Sequence, residues 1–160
     1  MRPVAILLMV LCLAALAGTG YLYLTANLEV TEVRCTAYDA QDQAVAFQAL
    51  KDQLAAEAFT GTPFDTAALR DAGDYQFYEY ALRLKNSTFL RAEVIEIQVT
   101  PMNGDVLQIS DLEAHDLAPR SEGQFTATIL TRKDMHNVRE LTLTYYLWGL
   151  PFSSRVTYSP

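Results

Sequence analysis

Histidine and cysteine are scarce in this 160-residue sequence, with two of each. That scarcity removes much chemistry at once. A zinc centre needs three or four converging ligands. His115 and His136 have acidic neighbours, Asp116 and Asp134, but no third histidine or cysteine at ligand spacing. They read as surface polar residues. Of the two cysteines, Cys12 lies inside an apolar run, which leaves Cys35 as the single thiol of the remaining chain. An internal disulfide in that part is impossible, so it is not a stapled secreted scaffold. Cys35 shares a strand face with Val33 and Ala37 and reads as a small buried hydrophobe. Gly-x-Ser-x-Gly, a Walker loop and a Rossmann glycine pattern are all missing. No catalytic residue and no cofactor is implied.

Positive charge is also in deficit. Arg2 is the only charged residue before Glu29, so the rest of the chain sets 11 basic against 19 acidic side chains. Such a surface repels nucleic acid and gains nothing from anionic headgroups. Asp111, Glu113 and Asp116 concentrate this charge before a turn. Calcium takes carboxylate oxygens, so a weak calcium site there stays open, although the EF-hand spacing is absent. With 19 acidic residues, chance carboxylate pairs are inevitable, and glycosidic chemistry cannot be read from them.

What the chain does have is one long apolar run. Val4 to Leu24 carries no charge. At about 1.5 Å per helical residue it spans about 31 Å, close to a bilayer hydrocarbon core. Tyr21 and Tyr23 fall near the far interface, where tyrosine is favoured. Arg2 precedes the run, and Glu29 and Glu32 follow it, which places the C-terminal part outside the cytoplasm. A retained anchor over residues 1–26 is the favoured reading. A cleaved signal peptide is the alternative, because Ala15-Leu16-Ala17 has the small-x-small pattern of a cleavage site. The remaining residues, 27–160, make one ordinary domain.

That domain reads as mainly β. Leu28 to Tyr38 alternates and is rich in Val, Thr and Tyr, as a first strand should be. Gln43 to Phe59 then places Phe47, Leu50, Leu54 and Ala58 at helical spacing among good helix formers. This amphipathic helix should lie against a sheet edge or close one end of the core. Gly61, Pro63 and Gly73 punctuate a loop. Strands follow at Tyr75–Lys85, Leu90–Thr100, Asp105–Ile109, Gln124–Leu130, Arg139–Trp148 and Phe152–Tyr158, with turn residues between them. About seven strands with no βαβ alternation predict an antiparallel Ig-like β-sandwich, with one helix inserted after the first strand.

The stretch Tyr80 to Ile129 carries a resemblance. One strand ends in an Asn86-Ser87 turn, and Glu93 to Val99 alternates Val and Ile. A Gly104-Asp105 turn follows, and Leu117 to Phe125 reads Leu-x-Pro-x-x-Glu into a Phe-containing strand. This grammar resembles the immunoglobulin-like accessory domains of bacterial envelope proteins, the FxLYD-type and late-embryogenesis-abundant-like β-sandwiches. The resemblance implies a binding or assembly module without enzymatic activity. It also implies that the sequon Asn86-Ser87-Thr88 is an ordinary β-turn and not a glycosylation site.

Aromatic residues are the most conspicuous feature of the domain. Tyr75, Phe77, Tyr78 and Tyr80 occupy both faces of one strand, so some should be exposed if the sheet has a wet side. Tyr146, Trp148 and Phe152 form the expected partner patch, for an envelope protein or a glycan. Tyr146 and Trp148 are expected to point away from Leu143, Tyr145 and Leu147. The function expected is a membrane-anchored extracytoplasmic binding or scaffolding module. An envelope or secreted enzyme subunit with a carboxylate-based site is the alternative.

Overall fold

The computed structural model describes residues 2–25, 27–65, 68–109 and 115–160. It opens with helix α1 (Arg2–Thr25). Within it, Pro3–Tyr21 is 19 residues long with a mean hydropathy of 2.3, and none of it is buried. The hydroxyl of Thr19 folds back to donate to the Ala15 carbonyl (2.5 Å), which satisfies this polar group inside the apolar run. This is one helix long and apolar enough to cross a membrane.

The domain is the expected mainly β antiparallel sandwich with a helix after its first strand. Among the described residues it has nine strands: β1 (Leu28–Asp39), β2 (Gly61–Pro63), β3 (Tyr75–Asn86), β4 (Ala92–Val99), β5 (Asp105–Ile109), β6 (His115–Leu117), β7 (Glu122–Arg132), β8 (Arg139–Leu147) and β9 (Leu150–Tyr158). Helix α2 (Ala44–Ala55) follows β1. One sheet runs β1-β3-β7-β5-β2, the other β6-β4-β8-β9. The two strands beyond the expected seven are three residues each. β2 lies in the Gly61–Pro63 stretch expected as loop, and β6 precedes the Pro119 turn.

The main core lies between the sheets. Tyr78, Tyr80, Leu82 and Leu84 of β3 meet Ile95, Ile97, Leu141, Leu143 and Tyr145 across it. Burial of these alternate positions is the main stabilising term, at roughly 25 cal/mol per Å² of apolar surface. A second cluster covers the opposite face of the first sheet. There Phe47 and Leu50 of α2 pack on Tyr75, Phe77, Leu107 and Leu130, with Phe47 and Tyr75 ring centroids 5.6 Å apart. The helix therefore lies on the sheet face at one end and not at an edge. This corrects the expectation that aromatics on both faces of β3 leave some exposed. All four are buried, because the helix covers Tyr75 and Phe77. Beyond the helix the same face becomes polar, with Arg83 and Lys85 in solvent.

α2 stops at Ala55, short of the expected Phe59. Glu57 adopts φ +52°, its N–H donates to the Leu54 carbonyl (3.2 Å), and the Ala58 N–H donates to Gln53 (2.9 Å). That is a Schellman cap built on a residue other than glycine.

Candidate functional site

The sandwich has two ends, and the chain gives them different chemistry. One end receives α1. Only residues 26 and 27 separate α1 from β1, and the first residues of β1 are held tightly. Tyr145 Oη accepts the Leu28 N–H (3.1 Å) and donates to Asn27 Oδ1 (3.2 Å). Burial pushes the Tyr145 phenol above its ordinary pKa, so it remains a neutral donor and acceptor. Its ring stacks on Phe152 (5.7 Å, 13°), and Phe152 in turn meets Tyr23 of α1 (5.3 Å). The aromatic column ties the helix exit to the core.

The same end is organised by Asn86, which is wholly buried. Its amide nitrogen faces the carbonyls of Leu90, Leu117 and Ala118 at 2.8–3.2 Å. Its Oδ1 accepts the N–H and hydroxyl of Thr88 (3.0 and 2.7 Å). The sequon nitrogen is thus committed inside the fold, and Asn86-Ser87-Thr88 is a structural turn. Ser87 itself is exposed.

The structure does not bring Tyr146, Trp148 and Phe152 together as one surface. Tyr146 stands on the outer face of the four-stranded sheet, cross-strand from Glu93 and Pro151, and is exposed as expected. Phe152 shares the inner side with Tyr145. Trp148 is not in the strand. With Gly149 it forms the two-residue β8–β9 turn, both residues at positive φ (+53° and +73°), the type I′ signature. Trp148 is 71 % exposed. With Leu150, Phe152, Leu90, Tyr23 and Thr19 it lines a small apolar recess between the hairpin and α1.

The other end carries α2 and a groove of about 630 Å³ between α2, β2 and β5. Leu54, Ala55, Pro63, Leu69, Val106 and Leu107 form its apolar lining, and Lys51, Glu57 and Asp65 also border it. The 12 residues of β3 separate the two ends by roughly 36 Å. No sequence signal marked this groove, since β2 is too short to show alternation.

Near the groove end a buried ion pair joins the two sheets. Arg139 of β8 and Asp105 of β5 are almost wholly inaccessible. Arg139 donates through Nε to Asp105 Oδ2 (3.0 Å) and through Nη2 to Oδ1 (2.6 Å). Its Nη1 donates to the His136 and Val138 carbonyls (2.7 Å each), and the Met102 N–H satisfies Asp105 Oδ2 (2.7 Å). Gln108 makes a second bridge: its side chain accepts from the Val99 N–H (2.8 Å) and donates to the Ile97 carbonyl (2.7 Å). β4 pairs with β6 only as far as Ile95, and Gln108 satisfies the edge beyond.

The remaining sequence candidates are dispersed. His115 packs edge-on against Phe125 (5.9 Å), while His136 is exposed in the turn before β8. Cys35 is half-buried on the core, and burial raises its thiol pKa, which disfavours the reactive thiolate. Asp111 and Glu113 lie outside the described residues. Asp116 accepts the Val94 N–H (3.2 Å) and pairs with Arg91 (3.5 Å). Among the described residues no group of three His, Cys, Asp or Glu side chains could hold a metal ion. No family model matches the chain. Nor does any curated protein match it.

Proposed function

We propose that this chain is a single-pass, outward-facing module of the cell envelope. It binds or scaffolds a partner protein and carries out no catalysis. The observation that carries this reading is the two-residue connection between α1 and β1, with Tyr145 clamping Asn27 and Leu28. A domain joined so closely to an apolar helix stays at the bilayer and presents its other end outward. That end bears the apolar groove beside α2. A groove of this size, apolar inside with charges of both signs at its border, suits a few apolar side chains of a protein partner. The resemblance of Tyr80–Ile129 to envelope accessory domains supports the same role. An enzymatic site would need carboxylates driven far from their ordinary range in a cleft. The Asp39 carboxyl is lowered by the Lys133 ammonium through a simple 2.6 Å surface contact, which needs no catalytic explanation.

The test is a native gel of membranes that contain the full chain, solubilised in mild detergent. The chain should migrate within a defined larger complex. Ala55→Arg places a long cation in the groove from an exposed helix position and should release it. Migration of the unaltered chain at its own mass would count against the scaffold reading.

A further inference from the structure

Large exposed hydrophobics of the domain are not scattered. Phe89, Val94, Tyr146, Trp148 and Leu150 lie at the end that receives α1, against Tyr38, Val45 and Met102 elsewhere among the described residues. The β8–β9 tip goes further than mere proximity. Trp148 and Leu150 share their recess with Thr19, which falls within the apolar span Pro3–Tyr21. If α1 crosses a bilayer, the tip stands level with the outer end of that span. Two connecting residues can separate the helix and β1 by no more than about 10 Å, so this end of the domain stays near the exit of α1.

Trp148 also violates its local rule. A type I′ turn favours Asn-Gly, and a tryptophan at its first central position is strained by about 1 kcal/mol or more. A large apolar side chain kept on a strained, exposed turn calls for something to cover it. The chemistry of the tip fits one occupant, the polar–apolar boundary of a phospholipid bilayer. Tryptophan and tyrosine are favoured there, with their amphipathic rings at headgroup level and their N–H and O–H groups turned to the wet side. Arg120, stacked 4.2 Å over the Phe89 ring, supplies a cation for lipid phosphate at the same end. Glu93, opposite Tyr146, keeps the outer sheet face in water.

We infer that the β8–β9 tip is a second membrane contact. Trp148 and Leu150 seat in the outer interface of the same bilayer that α1 spans, so the domain stands upright with its groove facing away. This rests on the reading of α1 as a retained anchor. Trp148 is the chain's single tryptophan, so the unaltered protein reports on itself. The full chain would be reconstituted in phosphatidylcholine vesicles and floated on a density gradient, and its intrinsic fluorescence recorded. The expected result is flotation with blue-shifted emission, quenched by phospholipid brominated near the glycerol and shielded from aqueous acrylamide. Flotation with red, acrylamide-quenched emission would overturn the tip contact and leave the anchor standing. Failure to float, or loss of the N-terminal residues by mass, would overturn both.

Discussion

Buried polar side chains do more to hold this fold together than its surface charges. Arg139 and Asp105 are fully paired and bridge the sheets. Removing one partner leaves the other charge buried and alone. Arg139→Met should therefore cost about 3–5 kcal/mol in urea unfolding, and adding Asp105→Leu should recover much of that loss. A single-variant cost below 1 kcal/mol would contradict the buried pairing. Asn86 makes the matching case at the end that receives α1. Asn86→Ala strands buried carbonyls and should cost about 2–3 kcal/mol, whereas Ser87→Ala should be nearly neutral. Equal effects would sink the assignment. Charge at the surface gives a pH signature instead. The Lys133 ammonium bonded to Asp39 holds that carboxyl below its usual range. The same contact raises Lys133. The stabilisation is in place above the ordinary carboxylate range and is lost as pH falls through the lowered pKa. At alkaline pH it is lost again as pH rises through the raised lysine pKa. Lys133→Met should move the Asp39 titration midpoint upward by NMR, and an unmoved midpoint would refute the pairing. None of these partners was legible as a pair. Asp105 reads as a turn residue and Arg139 as a strand start, and 34 positions separate them.

Elements were legible where periodicity runs long. β1, β3, β4, β7, β8 and β9 fall close to their expected places because the sequence pattern persists over seven residues or more, and the short β5 falls at its expected Asp105–Ile109 because the Gly104-Asp105 turn marks its start. β2 and β6 are three residues long and carry no period to read. The end of α2 was misplaced for a different reason. Good helix formers and the spacing of Ala58 extend the pattern, yet the chain turns left-handed at Glu57. Glycine would take that conformation without a Cβ penalty. Glu57→Gly should raise the domain's stability by about 1 kcal/mol, measured as an upward shift of the urea midpoint at constant slope. A destabilised variant would mean the cap is not formed in solution. From the sequence, Trp148-Gly149 reads as a strand end followed by a break. The tryptophan hides the turn because its type favours asparagine at that position.

At the scale of the molecule, composition was the better guide. An uncharged run near the N-terminus, an acidic remainder and alternating strands sufficed for an apolar helix followed by a mainly β sandwich. The candidate surfaces were less legible. The aromatic residues were visible in the sequence, but which of them share a side depends on the hairpin register, which sends Tyr146 outward and Phe152 inward. The groove arises where α2, β2 and β5 meet, residues distant in sequence that no local pattern links. The polarity proposed for the molecule, anchored at one end and open at the other, rests on where α1 enters the sandwich. The proposed function depends on α1 remaining attached. The most direct measurement is the mass and membrane partition of the protein expressed with its native N-terminus. A retained anchor gives full-length mass in the carbonate-resistant membrane fraction. A soluble product lacking about the first 17 residues, cut after Ala17, would mean a cleaved signal and would contradict it.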